Sequence, residues 1–154
     1  MPRFVRALLL AASLCGAACG NGTPPAVPGA HLPVDWLTVG GHRITVELAR
    51  RPDEQSRGLM FRDSLPPDHG MLFLFSVDSV QTFWMRNTKI PLSIAFADAN
   101  GRIVRIADLE PFDERPVSSI APARYALEMN RGWFAAHHVV PGDSITDIPT
   151  ARGP

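Results

Sequence analysis

Short β-prone runs, separated by turn dipeptides, constrain the fold of this chain more than any other feature. Residues 34–39 and 42–49 flank Gly40 and a second glycine, a pair able to adopt the positive φ angles of a tight hairpin turn. In the second run, every second residue from 44 to 48 is apolar, which places these side chains on one face of a strand. The pattern predicts an antiparallel β-hairpin.

Further apolar runs of strand length follow, each bounded by polar or turn-forming residues. They lie at 71–77, 81–85, 90–97, 102–107 and 125–129, with a last strand ending near Ile148. An Asn-Gly pair joins the third and fourth runs as a second hairpin. Pro52 and two acidic residues begin a short helix that ends near Arg62, and 133–137 forms one helical turn. We predict a mainly β fold, a compact β-sandwich or jelly-roll-like barrel of about eight short strands with one short helix.

The composition suits one domain without a strong charge. The chain has 154 residues, of which 45% are hydrophobic, enough for a single hydrophobic core. Basic and acidic residues balance at 15 each, so we expect no nucleic-acid partner. We predict a signal segment at 1–18, a flexible Pro/Gly linker at 19–33 and one β-rich domain at 34–150.

The N-terminal segment has the layout of a secretory signal. Arg3 and Arg6 precede an apolar run at 7–14 that is too short to cross a bilayer, and small residues follow to Gly20. Cleavage before Cys19 would resemble processing at the lipobox of bacterial lipoproteins, in which the new terminal cysteine is acylated. Cleavage at an ordinary signal peptidase site would instead release a soluble periplasmic protein. Both hypotheses predict export, and membrane association is expected only through the lipid of the first.

Metal binding and nucleophilic catalysis lack their usual patterns in this sequence. His137 and His138 are adjacent, so a strand would point them to opposite faces, and neither has a histidine or carboxylate two residues away. A mature form beginning at Cys19 would retain that cysteine alone, and no Gly-x-Ser-x-Gly or Ser-x-x-Lys pattern is present. We therefore expect no metal and no cofactor.

The stretch at 82–88 is the most unusual part of the sequence. An aromatic strand end with Trp84 runs directly into Arg86, Asn87 and Thr88. A cation, an amide and a hydroxyl supply directional hydrogen bonds beside an apolar wall, the usual composition of a small-ligand pocket. The alternative is structural: the tryptophan lies in the core, the arginine pairs with a carboxylate, and the amide and hydroxyl form a turn.

Ordered blocks of the sequence resemble the signature of a known family. They lie at 57–62, 70–73, 83–88 and 90–92, followed by 101–103, 125–128 and 142–143. In this order the blocks are similar to the family catalogued as domain of unknown function 192, over roughly 42–148. The resemblance implies a compact, mainly β fold with a short helix near the Gly-Leu-Met block, and it brings no activity, substrate or cofactor. Ser93 stands where many members carry Asp, which argues against an essential carboxylate there.

Three functional hypotheses follow, in this order. The first is an exported cell-envelope binding module for a small polar or anionic ligand, such as a glycan fragment, in a concave site with the tryptophan partly exposed. Its candidate ligand-binding residues are Trp84, Arg86, Asn87, Thr88, Arg57, Arg62, Met60 and Glu128. The second is a pocketless scaffold or interaction protein, in which Arg57, Arg62 and Arg86 are all held by internal hydrogen bonds. The third is an envelope-acting hydrolase that uses Glu110 or Glu128, with a raised pKa, as acid or base in the same concavity.

Overall fold

The computed structural model describes residues 32–149. Its elements in chain order are β1 (Val34–Val39), β2 (His42–Ala49), α1 (Pro52–Arg57), β3 (His69–Phe83), β4 (Leu92–Ala97), β5 (Ile103–Leu109), β6 (Val117–Asn130), α2 (Trp133–Ala136) and β7 (Ile145–Thr146). The predicted signal segment, Cys19 and nearly all of the linker lie outside the described residues. Within this range, neither helix has the length and apolar character needed to cross a membrane.

The strands join one sheet in the order β5-β4-β6-β3-β2-β1-β7, which curls into a half-barrel. The prediction of a mainly β fold is confirmed. The strands are fewer and longer than expected, because the runs predicted at 71–77 and 81–85 belong to the single 15-residue strand β3. The residues between them include no Gly or Pro that would force a turn, and a register shift between Leu74 and Ser79 accommodates the bend.

Both predicted hairpins are present. β1 and β2 pair antiparallel with Val39 opposite His42, and the two glycines of their turn have φ angles of 54° and 88°. β4 and β5 also pair antiparallel, across a turn in which Gly101 has a φ of 78°. Positive φ angles of this kind cost little free energy in glycine and more in most other residues. β2 and β3 instead pair in parallel, with α1 in the connection between them.

Helix α1 begins at the predicted residue and ends earlier than predicted. Pro52 occupies its first turn, and Glu54 Oε2 accepts hydrogen bonds from the backbone N–H groups of Arg50 and Arg51 at 2.8 and 2.9 Å. Gly58 has φ 47° and ψ −134°, a conformation suited to glycine, and it ends the helix after Arg57 rather than near Arg62. A second short helix, α2, occupies the helical turn predicted at 133–137.

The sheet buries apolar side chains on both faces. Strand alternation sends Leu127 of β6 to the first face, together with the buried side chains of β1 and β2, and sends Ala126 to the second face. The second face also carries buried side chains of β3 and β4, namely Met71, Phe73, Ile94 and Phe96. Leu59, Met85 and Ile90, from the segments that follow α1 and β3, pack against this second face.

Gly70 lets β3 approach β6 closely. A Cβ atom at this position would lie 2.4 Å from Met129 Sδ and 2.6 Å from the backbone oxygen of Glu128. We expect Gly70→Ala to lower the free energy of unfolding by about 3 kcal/mol, because the two central strands must shift to admit the methyl group. Urea unfolding measures the change. Gly41→Ala is the control, since it meets no atom within 4 Å and carries only the cost of its positive φ; equal losses in the two variants would contradict the steric explanation.

Candidate functional site

A cavity of about 360 Å³ opens between α1 and the second face of the sheet. We call it the α1 pocket. It is lined by Pro52, Gln55, Ser56, Arg57, Gly58, Leu59, Met60, Phe73, Phe75, Gln81, Thr82, Phe83, Trp84, Thr88 and Glu128. The lining residues come from α1 and the residues after it, from both halves of β3, from the segment after β3 and from the C-terminal end of β6. A pocket assembled from four separate parts of the chain depends on the tertiary fold.

Helix α1 is fastened to the sheet beside the pocket. Gln55 Nε2 donates a hydrogen bond to the backbone oxygen of Leu74 at 2.8 Å, and it lies within 3.3 Å of the backbone oxygen of Ala49. Phe73 Cζ lies 3.4 Å from the position that a Cβ atom on Gly58 would occupy. The ring edge therefore lies close beneath the end of the helix, and the helix holds one wall of the pocket in place.

Glu128 is the buried ionisable group of the pocket. Its residue is 4% exposed, and its cross-strand neighbours are Met71 on β3 and Ile94 on β4. No side chain or backbone group among residues 32–149 forms a hydrogen bond or ion pair with its carboxyl group. Every fully enclosed side-chain nitrogen or oxygen in the described range has a partner, so the Glu128 oxygens keep their remaining access through the pocket that they line.

Burial raises the pKa of Glu128 from 4.5 to about 8, and desolvation is the cause. The free protein at neutral pH therefore holds this group mainly as the neutral acid. In that state the carboxyl can donate one hydrogen bond and accept others, whereas the carboxylate only accepts. A group that changes charge near neutral pH inside a cavity is a candidate for binding or catalysis.

Aromatic rings form most of the apolar wall. The ring centroids of Phe73 and Phe83 are 4.9 Å apart in an edge-to-face arrangement, and those of Phe75 and Phe83 are 6.4 Å apart. Phe83 also contacts Phe96 of the core at 5.6 Å, which ties the wall to the sheet. Trp84 is 50% exposed at the mouth of the pocket, so the structural alternative that placed it in the core is wrong for this residue.

The structure brings five of the eight predicted ligand-binding residues to the α1 pocket. They are Arg57, Met60, Trp84, Thr88 and Glu128. Arg57 is exposed at the mouth, and its guanidinium forms no hydrogen bond or ion pair with the described residues. Thr88 is buried, and its hydroxyl donates to the backbone oxygen of Arg86 at 3.1 Å.

The other three predicted residues lie outside the lining. Arg62 donates to Glu47 Oε2 at 2.6 Å. The guanidinium of Arg86 lies over the exposed Trp84 ring, 5.9 Å from its centroid. Asn87 has a φ of 54° and accepts a backbone hydrogen bond from Phe61 at 2.9 Å, so it serves the turn. Only Arg62 of the three arginines is held internally, which departs from the expectation of the scaffold hypothesis.

Sequence reasoning missed the polar and aromatic residues that β3 contributes to the pocket. Phe73 and Phe75 lie two residues apart, as do Gln81 and Phe83, and each pair therefore shares one strand face. That alternation was a usable signal. The second half of the strand could not be joined to the first without knowing that β3 continues through 77–80.

Glu110 does not share the α1 pocket. It lies on the far side of Trp84, in a second depression with Asp108, Asp113 and Arg115. Arg131 forms a two-pronged ion pair with its carboxylate, with Nη1 to Oε2 at 2.9 Å, and this pairing lowers the pKa of Glu110. An exposed, paired carboxylate of low pKa does not suit an acid or base, so the hydrolase hypothesis can involve Glu128 only.

No group of three or more His, Cys, Asp or Glu in residues 32–149 could hold a metal ion.

The fold and the site define a class of protein: a small, single-sheet β protein whose aromatic pocket encloses an unpaired carboxyl group. The family model for domain of unknown function 192, described as uncharacterized ACR, matches residues 36–146. The chain belongs to this family, as the signature blocks predicted. No curated protein matches the chain significantly.

Two crystal structures of bacterial proteins are similar to the chain. One, from Novosphingobium aromaticivorans DSM 12444, is a protein of unknown function with 39% identity and a TM-score of 0.72, covering 81% of this chain and 93% of that one. The other, from Sinorhizobium meliloti 1021, is described provisionally as a transcription regulator. It has 39% identity and a TM-score of 0.68, covering 73% of this chain and 89% of that one.

Ser93, which the resemblance to the family singled out, is held by internal hydrogen bonds. Its hydroxyl donates to Asp108 Oδ1 at 2.6 Å and accepts a hydrogen bond from the backbone N–H of Gly132 at 2.9 Å. Its cross-strand neighbour on β6 is Met129, which belongs to the first face of the sheet. The carboxylate beside Ser93 is therefore Asp108 of β5. This pair of residues lies on the opposite face of the sheet from the α1 pocket.

Proposed function

We propose that this chain is a binding protein for a small ligand, and that the α1 pocket is its binding site. The observation that supports this most is the buried carboxyl of Glu128 in the pocket lining, which has no hydrogen-bond or ion-pair partner among residues 32–149. A buried polar group without a partner destabilises a fold, and natural proteins retain few of them. A ligand that contacts the carboxyl offsets the cost that the free protein carries.

The shape and composition of the pocket support the same proposal. A volume of about 360 Å³ lies within the range of small-molecule sites, in which apolar walls surround a few placed polar groups. The aromatic wall favours a ligand with an apolar body. Arg57 at the mouth can bind an anionic or hydroxyl-bearing end of the same ligand. This residue supports the hypothesis, made from the sequence, of a polar or anionic ligand.

The proposal includes a location in the cell envelope. It rests on the signal-like N-terminal segment and on Cys19, the candidate lipid-bearing residue. In this proposal the ligand is an envelope metabolite or fragment, and the protein is either periplasmic or anchored through its lipid.

Trp84 provides a test of the site. Thermal stabilisation of the full chain by a collection of envelope metabolites and fragments identifies ligands, and their affinities are then measured by titration calorimetry. We expect Trp84→Ala to weaken each ligand about tenfold, because it removes one wall of the mouth. Trp36→Ala is the matched control, since Trp36 is 45% exposed and is also covered by an arginine, but lies on β1. The proposal fails if nothing in the collection binds, or if both variants lose affinity equally.

A second candidate function is catalysis by Glu128 as a general acid or base. The raised pKa of Glu128 supports it, because a group that titrates near the working pH transfers protons most effectively. The lining contains Ser56, Thr82 and Thr88 as hydroxyl groups but no histidine, cysteine or second carboxylate to act with it. Binding is therefore the better supported function. Conversion of a bound compound, lost in Glu128→Gln while binding persists, would favour catalysis instead.

A further inference from the structure

We infer that the ligand of the α1 pocket is an organic cation, whose positive head lies against Glu128 and among the aromatic side chains of the wall. The inference rests on the proposed binding function and adds the chemical class of the ligand. Its basis is the combination of one unpaired carboxyl group with four lining aromatic residues, Phe73, Phe75, Phe83 and Trp84. Carboxylates and aromatic faces both attract cations, and aromatic cages are the usual sites for quaternary ammonium groups.

Arg57 is the one cationic residue in the pocket lining, and it is exposed. Glu128 is flanked by Met71 and Ile94, which are buried and apolar. α1 contributes Arg57 to the lining, whereas β3 and the segment after it contribute no ionisable side chain. Arg57 is exposed, and within residues 32–149 its guanidinium forms no hydrogen bond or ion pair with Glu128. The deep end of the pocket therefore has one ionisable group, and that group becomes negative.

A cation would replace the proton that Glu128 holds in the free protein. In the empty pocket the carboxyl avoids an isolated buried charge by staying protonated, since burial raises the pKa of Glu128 to about 8. An organic cation against the carboxylate supplies the missing opposite charge, and the aromatic faces replace part of the water that the cation leaves behind. A neutral ligand can form hydrogen bonds with the carboxyl but supplies no opposite charge for the carboxylate.

This exchange of a proton for a cation makes binding depend on pH in a defined direction. Below about pH 8 the bound cation must displace the proton of Glu128, so binding releases a proton and weakens as the pH falls. We expect the affinity of a permanently charged ligand to rise about a hundredfold between about pH 6 and about pH 9. The affinity of a neutral ligand of the same shape should stay level or fall over this range.

Matched probes separate charge from shape. Choline and benzyltrimethylammonium are permanent cations, and the neutral alcohol in which carbon replaces the nitrogen of choline has the same shape as choline. Titration calorimetry with the full chain at about pH 9 should show choline binding at least tenfold more tightly than the alcohol. At about pH 7, buffers of different ionisation enthalpy should show proton release on binding of the cation only.

Glu128→Gln keeps the size of the side chain and removes its negative form. We expect this variant to lose at least tenfold in affinity for choline, to lose the pH dependence, and to retain whatever affinity it has for the alcohol. Glu110→Gln is the matched control, since it makes the same substitution at a carboxylate outside the α1 pocket and should leave choline affinity unchanged.

The outcomes distinguish this inference from the proposed function. If the alcohol binds as tightly as choline, or if Glu128→Gln binds choline as well as the unmodified chain does, the ligand is not a cation, and the pocket remains a binding site. If the fragment collection yields only neutral or anionic ligands that depend on Trp84, the inference is overturned and the proposed function stands. If no compound of any charge binds, both are overturned.

Discussion

Glu128→Gln is expected to stabilise the free protein by about 3 kcal/mol near pH 7 and by up to about 5 kcal/mol above pH 8. The reason is that the folded state raises the pKa of Glu128 from 4.5 to about 8 through burial, and each unit corresponds to about 1.4 kcal/mol. Glutamine has no charged form, so it does not carry this cost. A substitution at a candidate functional residue thus increases stability, as expected of a site maintained for binding.

The direction of the pH dependence follows from the two protonation states. Below about pH 4.5 the carboxyl of Glu128 is protonated in both the folded and the unfolded chain, so it costs nothing. Between about pH 4.5 and about pH 8 the unfolded chain releases the proton while the folded chain keeps it, and the free energy of unfolding declines as the pH rises. Above about pH 8 the loss is complete.

Urea unfolding at several pH values measures this effect. The difference between Glu128→Gln and the unmodified chain should be near zero at about pH 4 and should grow with pH. Glu110→Gln is the matched control, because Glu110 is exposed and paired with Arg131, which lowers its pKa. That variant should not be stabilised at any pH. A Glu128→Gln variant whose stability follows that of the unmodified chain at every pH would show that the carboxyl is not buried in the way described.

Phe73→Ala is expected to lower the free energy of unfolding by about 3–5 kcal/mol, the usual cost of truncating a buried phenylalanine. Phe73 is 1% exposed and contacts the Phe83 ring edge to face at 4.9 Å. Its removal leaves a cavity below the end of α1 and withdraws support from the pocket wall. Thermal and urea unfolding measure the loss of stability. Titration calorimetry with a ligand of the pocket measures the loss of affinity that follows from the weakened wall.

Phe61→Ala is the control for this substitution. Phe61 follows the same helix but is 67% exposed, so its truncation should change the free energy of unfolding by no more than about 0.5 kcal/mol. Similar losses at Phe61 and Phe73 would mean that the second face of the sheet is not packed as described.

These effects have a common origin in the second face of the sheet. Phe73 and its apolar neighbours form a well-packed surface, and Glu128 interrupts that surface at the place where α1 leaves a cavity. The apolar side chains stabilise the fold, whereas the carboxyl reduces its stability at neutral pH. Conflict between local burial and local polarity is expected at functional sites more than elsewhere in a structure.

The local features of the fold could be predicted from the sequence. Alternation from 44 to 48 and the adjacent glycines specify the first hairpin, because strand faces and turn angles depend on neighbouring residues alone. The Pro-Asp-Glu start of α1 is determined in the same way. The signature blocks also identified the family. Trp84 and Thr88, which lie within these blocks, line the candidate site.

The pocket itself was decided by the tertiary structure. Glu128 lies 40 residues after Thr88 in the chain, and only the pairing of β6 with β3 and β4 brings its carboxyl beneath α1. Local composition could not tell Glu128 from Glu110 as the acid or base, since both stand in largely apolar surroundings, although one of the signature blocks includes Glu128. Their pKa values differ because Arg131 lies beside Glu110, whereas Glu128 is buried between neighbouring strands. Alternation and turns are encoded locally, whereas pairing order, burial and the pKa of a carboxyl arise from contacts between distant segments.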